Sequence, residues 1–234
     1  MLARAVDGTC DYPPERPLPA PTPGQRHTHF EVTTESTLAA GARLGPAALA
    51  LNFASAKSPG GGFLNGSIAQ EETLCRASGL YACLKGRPMY AFHSARHDAL
   101  YTDWVMYCPE VPVFRDDDGE VLVSPFRCAF VTAPAPNVRG MGDRALAPER
   151  QLEIRRALET RIDRVLAVAF LHGHDKLVLG AWGCGAFGND PELVAGLFHH
   201  ALTVEWAGAF SEVVFAIYGD RHKSNHAAFR ARFG

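Results

Sequence analysis

The sequence predicts an α/β fold with a sheet sandwiched between helix layers, and three observations lead there. Strand-like segments alternate with segments of helical periodicity along most of the chain. Several strand candidates are almost continuously apolar, as strands buried on both faces are. Two of them run into glycine-rich loops that open helices, the arrangement that places ligand sites at the carboxyl ends of strands.

Taken in order, residues 1–26 read as a tail or arm, because six prolines between Pro13 and Pro23 favour an extended segment. HFEVTTES from His29 is a short β-rich run. TLAAGARL (37–44) is a short helix stopped before Gly45-Pro46. PAALALNFAS (46–55) is a buried strand. Ala69 to Leu84 carries Leu74, Ala77, Leu80, Tyr81 and Leu84 at helical spacing, which predicts a helix opening near Ser67 and weakened by Gly79. Residues 101–126 predict strands around a turn at Asp117-Asp118-Gly119, and RCAFVTAPAPN (127–137) a buried strand ended by prolines. Residues 145–174 hold the longest helix candidate, with Pro148 in its first turn. DKLVLGAW (175–182) is a strand, 190–206 a helix with Asp190 at its N-cap and Pro191 at N1. A strand over 212–220 and a closing helix over 222–233 complete the pattern.

At 47% hydrophobic and 21% charged, the 234 residues are of ordinary globular composition. No apolar run approaches the roughly 18 residues needed to span a bilayer, so no membrane association is expected. The net charge of −2, with 19 Arg and four Lys against 25 acids, leaves no basic footprint for nucleic acid. Six scattered cysteines without a CxxC pair read as reduced thiols. The N-terminus has no apolar signal core, and a cytoplasmic protein is the expectation.

Two loops and one acidic turn could carry chemistry. In NFASAKSPGGGFLNGSIAQEE (52–72), Gly60, Gly61 and Gly62 can bring backbone close to a ligand, and a helix start follows, suited to anions. LGAWGCGAFGNDPE (179–192) repeats the design with glycines at 183, 185 and 188 before the Asp190-Pro191 helix start. Two such loops suggest a cleft for one anionic ligand, and a diphosphate suits it. Phe187 reads equally well as a buried anchor or as a ring against a sugar or base. Gln70, Glu71 and Glu72 fall in a first helical turn beside the first loop. Adjacent helical residues point about 100° apart, so Glu71 and Glu72 cannot flank one bond from opposite faces, and each needs its own task.

These segments resemble the two signature loops of poly(ADP-ribose) glycohydrolases, a family built on the macrodomain. The first loop has the family's GGG, then seven residues (Phe63 to Ala69), then QEE. SGLYACL, ALYTDWVMYCPEVPVFRDDDG and LVLGAWGCGAFGNDP extend the similarity to the smaller bacterial type over nearly all of residues 27–233. The resemblance implies a three-layer α/β/α macrodomain-like fold with a mixed central sheet. It implies hydrolysis of the ribose–ribose O-glycosidic bond of poly(ADP-ribose), releasing ADP-ribose, with no cofactor and no metal. Glu72 would protonate the leaving ribose oxygen and then assist water, while Glu71 would hold ribose hydroxyls. Gly60, Gly61, Gly62 and Gln70 would bind substrate. Gly185, Ala186, Phe187, Gly188 and Asn189 would form the diphosphate loop, with Phe187 against the distal ribose. Ser55 stands where simple macrodomains commonly have a second Asn, so their Asn-assisted chemistry does not carry over.

On this reading, residues 1–26 are a proline-rich arm and 27–234 a single catalytic domain. The chain is expected to be monomeric and to act on poly-ADP-ribosylated proteins, as in a DNA damage response. A non-catalytic ADP-ribose reader is disfavoured by the intact QEE, and a hydrolase of protein-linked mono-ADP-ribose remains an alternative. The pairs His93/His97 and His222/His226 lack a third ligand and read as surface or core histidines, as do His172, His174, His199 and His200. Cys184 reads as a small buried residue, and Asp116-Asp117-Asp118-Gly119 as a solvated hairpin turn.

Overall fold

The computed structural model describes residues 1–219 and 223–234. Asp220 of the last expected strand and His222 of the second histidine pair therefore lie outside the described residues. The strands are β1 (Cys10–Tyr12), β2 (His29–Thr33), β3 (Ala48–Phe53), β4 (Val105–Arg115), β5 (Val121–Ala133), β6 (Lys176–Leu179) and β7 (Glu212–Ala216). The helices are α1 (Leu2–Asp7), α2 (Thr37–Leu44), α3 (Gln70–Ala77), α4 (Leu80–Leu84), α5 (Pro88–Ser94), α6 (Val138–Met141), α7 (Pro148–Leu171), α8 (Pro191–His200) and α9 (Lys223–Phe233). The seven strands form one sheet in the order β1-β4-β5-β3-β6-β7-β2. It is mixed: β5, β3, β6, β7 and β2 run parallel, whereas β4 is antiparallel to β5 and β1 to β4.

Strand side chains alternate between faces, and β3 shows why both faces are apolar. Leu49 and Leu51 join a core with Leu158 and Ile162 of α7, Phe198 of α8 and Phe229 of α9. Ala48 and Ala50, one residue out of phase, join a second core with Leu38 of α2, Leu74 of α3, Leu80 of α4 and Met89 of α5. The small alanines let the second helix layer approach closely. The result is the expected α/β/α sandwich.

The helix expected over 69–84 is two helices. Ser78 leaves helical geometry to bridge Val113 of β4, and Gly79 N–H donates to the Pro112 carbonyl at 2.9 Å. The Ser78 hydroxyl donates to the Leu74 carbonyl freed by the helix end. Residues 121–133 form one continuous strand where two segments were expected. Its partner β4 carries Pro109 and Pro112, which lack ladder donors, and the register slips between Cys108 and Val111, with Glu110 at φ 46°. Helix α5 was not expected, although Pro88 at its first position marks it.

Residues 1–26, expected as a tail or arm, pack against the body of the domain. Helix α1 and strand β1 occupy the first twelve residues, and β1 pairs with β4 at the sheet edge. Arg87 donates to the Val6 carbonyl at 2.9 Å and the Thr9 carbonyl at 3.0 Å, while Arg164 donates to the Pro13 carbonyl at 2.8 Å. Gly24 N–H donates to the Ala207 carbonyl at 2.7 Å. Among the described residues no helix is long and apolar enough to cross a membrane.

Candidate active site

The parallel strands β3, β6 and β7 end on the same side of the sheet, and their following segments wall a cleft of about 590 Å³. Ser55 follows β3, Trp182 to Phe187 follow β6, and Ile217 and Tyr218 follow β7. The start of α3 supplies Gln70, Glu71 and Glu72, the start of α2 supplies Ser36 and Thr37, and Asn225 of α9 completes the far wall.

Glu71 is the deeper acid, 3% exposed. Its Oε2 accepts from the Ser55 N–H at 2.7 Å and its Oε1 from the Asn52 amide at 3.3 Å. Burial pushes its carboxyl up to about 8, against the lowering effect of the donors from Ser55 and Asn52. The Glu71 carboxyl is therefore largely protonated at neutral pH. Glu72 is 8% exposed and takes a different direction, its Oε1 accepting from the Gly62 N–H at 2.9 Å. The expected division of tasks has a geometric basis: one carboxyl is tied to the end of β3, the other to the glycine loop.

Gly61 shows what the triplet does. It has φ +60°, and a Cβ there would lie 2.2 Å from Glu72 Oε1 and 3.2 Å from Glu71 Oε2. Both acids thus converge on this backbone. Gly61 and Gly62 lie against the acids at the edge of the cleft. They back the carboxyls, and a side chain would occupy the space the carboxyls need.

Gln70 is also employed by the protein. Its Oε1 accepts from the Phe53 N–H at 2.9 Å, and its Nε2 donates to the Leu51 carbonyl at 2.8 Å and to Thr37 Oγ1 at 3.1 Å. The amide clamps the end of β3 to α2 and α3 while lining the cleft.

In the second loop, Gly185, Ala186 and Phe187 line the cleft, and Gly188 and Asn189 do not. Asn189 is buried and closes the loop, donating from its amide to the Pro136 carbonyl at 2.8 Å and the Gly183 carbonyl at 3.0 Å. Gly188 N–H donates to the Gly185 carbonyl at 3.2 Å. These two residues shape the loop. Phe187 packs on the core and also lines the cleft. Its ring lies 6.2 Å from that of Tyr101, a residue held at φ 60°.

Residues missed in the sequence are Asn52, Thr132, Ser36, Thr37, Trp182 and Asn225. Asn52 is fully buried and donates to both Glu71 and Thr132. A polar residue inside the apolar run ALALNF was the available signal.

His93 is buried, and its Nε2 accepts from the Thr102 N–H at 3.1 Å. Burial first, then Arg161, lowers its pKa to about 4. Cys184 sits half-buried within the second loop, where burial raises its thiol to about 12. No group of three or more His, Cys, Asp or Glu suited to a metal occurs among the described residues. Asp117 of the acidic hairpin turn reaches the cleft lining, which the expectation of a solvated turn did not include.

A family model described as microbial-type PARG, catalytic domain, matches residues 1–116. The chain is 50% identical to a poly(ADP-ribose) glycohydrolase from Thermomonospora curvata, with 99% of this chain and 88% of that chain covered and a TM-score of 0.91. The chain belongs to the bacterial poly(ADP-ribose) glycohydrolases. The Deinococcus radiodurans glycohydrolase, solved in complex with ADP-ribose, is 44% identical, with 99% of this chain and 96% of that chain covered and a TM-score of 0.90. The Thermomonospora curvata protein bound to the inhibitor ADP-HPD is 49% identical over the same share of this chain, with a TM-score of 0.90. No curated protein matches the chain. As a glycohydrolase of this family, the protein acts on poly(ADP-ribose), and its mixed sheet is that of a macrodomain-like fold.

Proposed function

We propose that the cleft binds the terminal ADP-ribose unit of poly(ADP-ribose) and cleaves its ribose–ribose bond with Glu72 as the acid and base. The observation that carries this is the convergence of Glu71 and Glu72 on Gly61 at the mouth of β3. Glu72 has one oxygen fixed by Gly62 N–H, which leaves Oε2 to give a proton to the leaving ribose oxygen. As the bond to the anomeric carbon breaks, the departing hydroxyl keeps that proton. The resulting carboxylate then takes a proton from water as water attacks the oxocarbenium-like carbon.

Glu71, held by Asn52 and Ser55, can hold ribose hydroxyls without moving. Its protonated form adds a donor. The exposed Gly185 and Ala186 backbone takes the diphosphate, and Phe187 bounds the distal ribose. Gly60, Gly61, Gly62, Gln70, Gly188 and Asn189 support these groups from behind.

We further read the protein as a cytoplasmic monomer, without cofactor, acting on poly-ADP-ribosylated proteins in a DNA damage response. The scattered, unpaired cysteines support the cytoplasmic part of that reading. Chromatography of products from defined polymer and from a mono-ADP-ribosylated protein tests the substrate. Release of ADP-ribose from polymer and not from the mono-modified protein is expected, and the reverse would move the protein to the mono-ADP-ribose hydrolases.

A further inference from the structure

Cleavage at Glu72 leaves a polymer whose new end carries its own diphosphate, and this must lie outside the cleft, past the acids. Strand β5 lies beside β3 on the side away from β6 and β7, and the segments there are joined in a row by contacts. The Lys57 carbonyl, in the first loop, accepts from Ser94 Oγ at 3.2 Å. Two residues after Ser94 comes Arg96, whose guanidinium carbon sits 3.4 Å over the Phe92 ring centroid. The Ala99 carbonyl, three residues further, accepts from Asn137 N–H at 2.8 Å. Two residues after Asn137, Arg139 N–H donates to the Phe187 carbonyl at 2.9 Å, and Arg139 Nε lies 3.6 Å from where a Gly188 side chain would begin.

Lys57, Arg96 and Arg139 are exposed, and none belongs to the cleft lining. Among the described residues none of the three has a carboxylate within 4 Å, whereas nearby Arg150 is occupied by Asp98 and Glu153. Three exposed cations without a carboxylate partner, of which Arg96 also donates to the Phe92 carbonyl at 3.1 Å, are thus carried by the segments that link the two loops.

We infer that Lys57, Arg96 and Arg139 form a cationic strip that holds the diphosphate of the unit being released, next to the scissile bond. The inference rests on the proposed function. Arg96 is preorganised by its stacking on Phe92, so its charge is held at little further entropic cost, and the backbone bond of Arg139 fixes where its side chain starts beside the second loop. Each contact made to a polyanion releases counterions, and binding through the strip weakens as salt rises.

The test compares the wild type with the variant K57Q/R96Q/R139Q on polymer of defined length and on free ADP-ribose, which has no leaving unit. The KM for polymer is expected to rise about tenfold at low salt, with a flatter dependence of log KM on log salt. The kcat and the Kd for ADP-ribose stay within twofold. The charge-preserving variant K57R/R96K/R139K is expected to keep the wild-type KM. An unchanged KM and salt slope would overturn the inference. A parallel loss of ADP-ribose affinity would also overturn it, by placing the cations on the terminal diphosphate. Failure of the wild type to release ADP-ribose from polymer would defeat the functional reading instead.

Discussion

The Gly62 N–H donates to Glu72 Oε1 at 2.9 Å, so the glycine loop orients this acid. The neighbouring Gly61 makes this possible, because its lack of Cβ leaves room for both carboxyls.

Gly61→Ala is expected to lower kcat/KM by about 10²-fold, since a misplaced proton donor loses most general acid catalysis. The backbone at φ +60° adds strain of about 1–2 kcal/mol for a residue with a side chain. Steady-state kinetics alongside thermal melting checks this. Full activity with a lowered Tm would separate the loop's strain from any role in placing Glu72.

Glu71→Gln should change how stability varies with pH. The Glu71 carboxyl is raised to about 8 from the ordinary 4.5, so between those values the native state holds a proton that the unfolded chain releases. Stability from this group is complete below about 4.5 and is lost as pH rises through about 8. The Gln variant removes that decline. Thermal melts from pH 5 to 9 should show its Tm rising relative to wild type as pH increases, and parallel curves would contradict the assignment.

Gln70→Ala should act on the fold as much as on the ligand. It leaves the Phe53 N–H and the Leu51 carbonyl without their side-chain partner, at a cost of about 1–3 kcal/mol for each group left unsatisfied in the interior. A clear fall in Tm of the ligand-free protein is expected, together with weaker ADP-ribose binding. Weaker binding with an unchanged melt would return Gln70 to a purely ligand-holding role.

Much of this architecture is legible in the sequence because it is local. The near-continuous apolar run of β3, the Asp190-Pro191 start of α8 and the 24 residues of α7 each carry their own signal. The break at Ser78 is not local: it follows from a bridge to Val113, and a helical repeat has no means of showing that partner. The docking of the first twelve residues depends likewise on Arg87 and Arg164, side chains far along the chain. At the site, the motif named the acids and both loops. It could not show that Gln70 and Asn189 spend their amides on backbone, because Phe53, 17 residues from Gln70, and Pro136, 53 residues from Asn189, are brought there by packing.

The most direct test of the account is turnover of Glu72→Gln on poly(ADP-ribose), measured together with its affinity for ADP-ribose. Gln keeps the acceptor for the Gly62 N–H and removes the proton. The account predicts a fall in kcat of about 10²-fold or more with the Kd for ADP-ribose nearly unchanged. Near-normal turnover by Glu72→Gln would contradict it and move the acid to another group, with the protonated Glu71 the first to examine.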